Sequence, residues 1–581
     1  MLTSFTLWIL AASAGLTGAE APPAPPAWVA AVPADVDVVV HVRPMEATQA
    51  EVSAMLKAFS PTLAERAEPA LAQGMAGFRQ SFGEGSTKAP WVGLLKMGEG
   101  GERSFAILVL DGDQQGVLAS VNGGKAPELK EEGGLSSFER AADQKTWYTA
   151  KGQGYVAFGP DKELMAAVAK ADAPASLDLT LVPELVKGDV GVYVNAGPLV
   201  KRYGDQIEGA RGALMAALDQ AGQQAGNAAN MEAAKDIYNA MFDALKDADA
   251  FVLNADASGK GLAIGGAITA KAGSTAAGAF AKLAAGAGED LAKLPSDAAY
   301  FVYMNIDFST VNRLLNSNLR MINGDKKAAP EQEAAMAKLA SFGRVEALGS
   351  AKLAGGLSVL NVTKVTATDP AEYLAASQEV QKSFKGGGVG GLIKEVITEP
   401  VAEPFRGIRF AHVVTRIDLD KFAEQNSKNP AAAATMKAMF PGGEMSAWSG
   451  TDGKLVYQVT ARSWDEARAA LSAFLDGKSS IGEAASFKEV RAALPEAATV
   501  SALISAQGIV NLAATSIGAA ANRPDLKAGE LPAEPALLGF AVAPQAPRGV
   551  SFRIVVPAAV GPVFEKGLVP LFRALQPPAN N

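Results

Sequence analysis

The chain has no cysteine and only two histidines. Without a thiol there is no disulfide, no cysteine nucleophile, no thiolate-held zinc and no lipobox cysteine to acylate, so stability has to come from packing. Lysine and arginine number 53 against 61 acidic residues, a formal net charge of −8, and no basic run occurs. Nucleic-acid binding needs a concentrated basic face, and that class of partner is set aside. Aromatic residues make up only 7% of the chain, so much of its 49% apolar content is alanine and aliphatic side chain. Such a composition does not of itself mean a membrane protein.

What is present begins with a signal-like segment. Residues 2–19, LTSFTLWILAASAGLTGA, carry an apolar core from Phe5 to Leu10 and small residues ending at Thr17-Gly18-Ala19, the form of a secretory signal. No lysine or arginine precedes the core. The alternative is an uncleaved N-terminal anchor, although a spanning helix wants about 20 apolar residues. The Pro/Ala-rich stretch 20–31 reads as an extended linker. The expected address is extracytoplasmic: periplasmic, cell-envelope or secreted.

With 581 residues the chain exceeds a single core. Leu294 to Leu315, LPSDAAYFVYMNIDFSTVNRLL, supplies its grammar: a proline, a polar or acidic residue, an alternating apolar strand, then a helix. Echoes begin at Pro33 (PADVDVVVHV), Pro183 (PELVKGDVGVYVNAGPLV) and Pro495 (PEAATVSALISAQGIVNLA). Each strand and helix is followed by a hairpin, and often by another helix. In the capped cases the turn chemistry is explicit, as in Asp369-Pro370-Ala371-Glu372 and Ser463-Trp464-Asp465-Glu466. The pattern predicts an α+β protein built from repeated β-α-β-β-α units, mainly antiparallel sheets with helices packed on one face, in two or three domains. The divisions are 1–19 (signal peptide), 20–31 (linker), 32–172, 173–290, 291–400, 401–480 and 481–581, the last five being successive units. Ala497 to Ala521 is uncharged throughout. Its serines, threonines, asparagine and glutamine favour a strand plus buried helix over a membrane span.

The search for chemistry finds candidates and a plain alternative for each. His41 and His412 both fall in predicted strands; with carboxylates they would serve a metal or acid–base chemistry, and otherwise they are strand histidines of separate units. Asp111-Gly112-Asp113-Gln114-Gln115-Gly116 imitates the front of a calcium loop, but position 12 falls on Asn122, and a solvated helix cap is the simpler reading. Gly386-Gly387-Gly388-Val389-Gly390-Gly391 lacks the Lys-Ser/Thr and strand-to-helix context of a phosphate loop. Asn361-Val362-Thr363 matches a glycosylation acceptor inside a predicted strand. The long helices at 205–245 and 309–342 are suited to pack on sheet or to enclose an apolar ligand, and Tyr193, Tyr300, Phe301 and Tyr303 read as strand residues. No catalytic, cofactor-binding or metal-binding residue is assigned.

The proline-led strands, the hairpins ending in capped helices and the line TWYTAKGQGYVAFGPDKELMAAVAKA resemble a class of large secreted bacterial proteins of unknown function, rich in alanine and glycine and built from duplicated α+β units. The resemblance implies a fold style and an extracytoplasmic address, and no site residues. The expectation is therefore a non-enzymatic binding or scaffolding protein, with no cofactor, whose partner is a protein or another envelope component. An apolar-ligand or lipid carrier and a carboxylate-dependent hydrolase are the alternatives.

Overall fold

The computed structural model describes residues 25–82, 87–98, 100–132, 135–170, 177–225, 228–308, 330–352, 358–365, 369–383, 392–400, 404–425, 433, 436–437, 439–520, 523, 527–545 and 547–575. The signal-like segment 2–19, the run Gly386 to Gly391 and residues 309–329 of the expected third long helix lie outside them.

The first ten strands are β1 (Val38–Val42), β2 (Trp91–Met97), β3 (Arg103–Leu110), β4 (Lys130–Glu132), β5 (Leu135–Glu139), β6 (Thr146–Gly152), β7 (Tyr155–Gly159), β8 (Val190–Val194), β9 (Ala248–Ser258) and β10 (Gly261–Ala270). The next ten are β11 (Tyr300–Asp307), β12 (Arg344–Lys352), β13 (Ser358–Val365), β14 (Ile393–Pro400), β15 (Phe410–Ile417), β16 (Glu444–Thr451), β17 (Val456–Ala461), β18 (Val500–Ser505), β19 (Leu537–Gln545) and β20 (Gly549–Pro557). The α-helices among the described residues are α1 (Met45–Phe59), α2 (Pro61–Phe82), α3 (Gln114–Val121), α4 (Lys162–Lys170), α5 (Val182–Val186), α6 (Ala196–Arg202), α7 (Gly204–Ala225), α8 (Ala228–Asp247), α9 (Thr275–Phe280), α10 (Pro330–Ser341), α11 (Pro370–Ser383), α12 (Leu419–Gln425), α13 (Trp464–Asp476), α14 (Ala485–Ala493), α15 (Ala506–Ala520) and α16 (Val560–Leu575).

Among the described residues all strand pairings are antiparallel, and they run in the order 4-5-6-7-3-2-1-8-9-10-20-19-18-11-12-13-17-16-15-14. From its outer edge inward the second half reads 14-15-16-17-13-12-11-18-19-20. Each of its strands therefore stands where the first half has the strand numbered ten lower. The α+β class holds, and the repeated grammar resolves into two copies of one ten-stranded topology. The copies meet along β10 and β20, where Gly261 faces Pro557, Gly265 faces Arg553 and Thr269 faces Gly549, the register of two equivalent strands related by a two-fold. Only glycine fits at Gly261: its φ is 138°, and a Cβ there would lie 2.2 Å from the Val556 carbonyl oxygen.

The smaller building block is a three-stranded meander: β1-β2-β3, β5-β6-β7, β8-β9-β10 and their counterparts. Neighbouring meanders abut alternately through third strands, as β3 on β7, and through first strands, as β1 on β8. Helices link first strand to second in five of the six; in the other, β5 and β6 are joined by a turn closed by Arg140 N–H on Lys145 O (2.9 Å). This is the strand, helix, hairpin order read from the sequence. The outermost strands are protected: β4 has only three residues, and β14 carries Lys394, Glu395 and Glu399, which discourages edge-to-edge addition.

One face of the sheet holds the two main cores. In the first half, Val39, Leu94, Leu108, Tyr193 and Val252 pack beneath α4, α5 and the 3-10 turn Ala27–Ala31. In the second, Phe301, Tyr457, Val459, Leu503 and Leu537 occupy the matching place beneath α13 and α14. The opposite face carries the crossover helices together with α3, α11 and α16; Ile107, Val109 and Phe158 meet α3, and Val345, Val365 and Val456 meet α11. Alternation along β3 explains how one strand serves both, since Ile107 and Val109 point one way and Ala106 and Leu108 the other.

The caps are where the sequence puts them. Ser463 Oγ accepts from Glu466 N–H (3.3 Å) at the start of α13, and Asp161 caps α4 through Leu164 N–H (2.8 Å). Burial opposes ionisation of Asp161, but Leu164 N–H and the Ser104 hydroxyl hold its carboxyl below the ordinary range. Ser463→Ala is expected to cost about 1 kcal/mol, read as a lowered urea midpoint with unchanged slope. The uncharged stretch 497–521 contributes β18 and α15. Among the described residues no helix is long and apolar enough to cross a membrane.

Candidate binding groove

The two histidines are not brought together. His41 lies on β1, 7% exposed and stacked on Trp28 with centroids 6.4 Å apart. His412 lies on β15, stacked on Trp448 at 4.8 Å. Eleven strands separate β1 from β15 in the sheet. Burial pushes both imidazoles below the ordinary 6.5, with Arg43 adding to the effect at His41 and Glu399 opposing it at His412. A lowered histidine value means the unfolded chain binds the proton more readily. Stability from this source is therefore complete above pH 6.5 and lost as pH falls below 6.5 toward the folded-state value. Urea unfolding at pH 7.5 and 5.5 is expected to show a smaller acid loss in His41→Phe than in the parent protein; an equal loss would assign the effect to other groups.

Nor do the two buried aspartates converge. Asp37 and Asp189 sit at opposite ends of β1, each held by an arginine: Arg202 Nη1 on Asp37 at 2.9 Å, and Arg43 Nη1 on Asp189 at 3.0 Å. In the calcium-like stretch, Asp113 caps α3 by accepting from Gly116 N–H (2.7 Å). Asn122 is engaged by Lys125 O and Ala141 N–H. Tyr303, on β11, donates to Glu346 (2.8 Å), and burial drives its hydroxyl pKa far upward. Among the described residues no cluster of three or more histidine or carboxylate side chains is placed to hold a metal ion.

A concavity of about 1140 Å³ lies in the second half between α15, the loop Ser296–Ala299 and the segment Lys527–Pro535. Local chemistry builds each wall. Ser505 Oγ accepts from Gly508 N–H (3.2 Å) and starts α15 as β18 ends. Gln507 then pins the outer wall, its amide donating to Glu534 O (2.7 Å) and accepting from Ala536 N–H (3.0 Å). Gly508 lets the helix close on the loop, since a Cβ there would lie 2.5 Å from the Ala299 Cβ. A second concavity of about 390 Å³ shares Ser296, Asp297, Ala298 and Lys352 with the first and runs on to Glu466 and Ala473 of α13. The two adjoin through these shared residues, the Asp297–Lys352 ion pair among them, and are treated together as a trench.

The first half holds an ion pair at the equivalent place. Equivalence is set by pairing: Val38 faces Leu95 and Val194, and Tyr300 faces Ala351 and Ile504. Asp37 therefore matches Ala299, and Arg202 matches Leu512. Backbone bonds agree: Asn195 N–H donates to Asp37 O as Ser505 N–H donates to Ala299 O, both at 2.8 Å. Asp37 N–H donates to Leu95 O (3.0 Å) as Ala299 N–H does to Ala351 O (2.8 Å). In the first half the side chains of these positions meet in an ion pair. The Asp37 side chain is fully buried (0% exposed), accepts also from Met97 N–H (2.7 Å), and Arg202 bonds Met97 O. In the second half Ala299 and Leu512 have neither the charge nor the reach, and both line the trench. The pair beside it is retained in both halves, as Asp35–Lys96 and Asp297–Lys352. The echo of VYVNAGPLVKR in SALISAQGIVNL carries this difference in sequence, Arg202 against Leu512, but its meaning depends on the partner at Asp37.

The fold and the trench define a two-fold, antiparallel α+β protein with a concavity in its second half. Compared with protein families, curated proteins and solved structures, the chain matches none.

Proposed function

We propose that this is a non-enzymatic binding protein acting outside the cytoplasm, which takes its ligand in the trench of its second half. The observation that carries the reading is the trench itself, which is lined by Ala299 and Leu512 where the first half holds the buried Asp37–Arg202 ion pair. Hydroxyl and amide groups line it, with Ser480, Ser505, Asn511 and Thr515 beside Ala299 and Leu512, the mixture that orients a ligand over an apolar floor.

Hydrogen–deuterium exchange of the full chain, with pooled random decapeptides, short-chain phosphatidylcholine or oligosaccharides as probes, tests it. Slowed exchange across 505–515 with one of the pools is the expected result, and no slowing there with any pool overturns the reading. For the address, a fusion of residues 1–31 to a reporter active only outside the cytoplasm is expected to be active.

A second reading, an apolar-ligand carrier, has its own observation. On the crossover-helix face, Val40, Val192, Ile264 and Phe552 are all partly exposed and Leu253 is 44% exposed, whereas Val39, Tyr193 and Val252 on the other face are at most 2% exposed. Protection by phosphatidylcholine confined to β8 and β9 would favour this reading.

A further inference from the structure

Resting on the binding reading, we propose that the trench takes an extended polypeptide segment of a partner protein. Three features select among ligand classes. The first is form. At about 1140 Å³, continued by a further 390 Å³ past the Asp297–Lys352 pair, the trench exceeds the roughly 300–1,000 Å³ of a small-molecule pocket. A guest reaching from α15 to α13 has to be a chain.

The second is the polarity of the lining. Small apolar surfaces (Ala298, Ala299, Ala484) share it with the polar side chains of Ser296 and Asn511. An acyl chain laid over those two would strip them of water and offer them nothing, at a cost of about 1–3 kcal/mol for each group left unpaired. A polypeptide brings a donor and an acceptor with nearly every residue. Among the described residues the lining contains no aromatic ring, so a sugar would lose the stacking that its faces use.

The third is charge. The exposed Glu483 and Lys527 stand on the rim with no ion-pair partner among the described residues, and the Asp297–Lys352 pair supplies one more charge of each sign. A rim of mixed sign suits a chain bearing both kinds of side chain and steers its register.

The test uses the full chain and fluorescein-labelled decapeptides selected on it from a random pool, with binding read by fluorescence polarisation. Ala299→Asp/Leu512→Arg installs the ion pair of the first half. Asn511→Arg/Thr515→Arg crowds the same wall from two exposed positions of α15, where folding is not at stake. Selected peptides are expected to bind the parent protein and to weaken by at least about ten-fold in both variants. Equal binding to parent and variants, or a pool from which nothing is selected, overturns the polypeptide assignment. If phosphatidylcholine or oligosaccharide slows exchange at 505–515 while no peptide does, the assignment falls and the binding reading stands; if no probe acts there, both fall.

Discussion

Arg202→Ala is expected to lower the unfolding free energy by about 3 kcal/mol, because it leaves the Asp37 carboxylate buried without its counter-charge. Asp37 is fully buried and the guanidinium lies 2.9 Å away; Met97 N–H remains as its other donor. The double variant Asp37→Ala/Arg202→Leu writes the second half's residues into the first. It is expected to regain most of the loss, since removing both charges also removes the desolvation cost of each. Urea unfolding of the parent, Asp37→Ala, Arg202→Leu and the double closes the cycle. A double variant as unstable as Arg202→Ala would show that the pair holds the first half in shape.

The next largest effect concerns how the two cores are filled. Val39 faces Tyr193 across β1 and β8, and the equivalent pair across β11 and β18 is Phe301 and Leu503. All four are at most 2% exposed. The bulky ring has changed strands between the halves while each pair keeps one large and one smaller side chain. Tyr193→Leu alone opens a void and is expected to cost about 2–4 kcal/mol. Val39→Phe alone overpacks and should cost about 1–3 kcal/mol. Combined, they reproduce the pairing of the second half, and the double variant is expected to be clearly more stable than the sum of the two predicts. A residual loss of about 1 kcal/mol should remain, because the Tyr193 hydroxyl accepts from Asp178 N–H (3.0 Å) and leucine cannot. Burial pushes that hydroxyl up to about 12, so it stays protonated over the range in which the variants are compared. Strict additivity would show that the two positions do not share a cavity.

Much of the fold is legible from local pattern. Val38 to Val42 reads as a strand because β-branched residues stand between Pro33 and Pro44, and α13 reads as a helix because Ser463 and Glu466 cap an apolar stripe. Other parts carry little local signal. β14 shows no strand pattern, because Ile393-Lys394-Glu395-Val396 mixes charge into a strand that pairs on one side only. α5 and α14 are short segments just before β8 and β18, and their five and nine residues hold too few turns to show a period. The candidate site was not legible at all: its wall residues are serines, alanines and amides scattered from Ser296 to Pro535, none of them conspicuous alone.

The sequence by itself determined the α+β class, the antiparallel hairpins, the capped helices and a chain without thiols or a basic face. Each of these depends on residues within a few positions of one another or on composition. Only the tertiary structure decided the order of the strands, the two-fold along β10 and β20, and which side chains meet at the two equivalent places. Those depend on pairings between distant residues, as with Arg202 and Asp37, 165 positions apart, and no local pattern encodes which strand edge, or which counter-charge, a segment will meet.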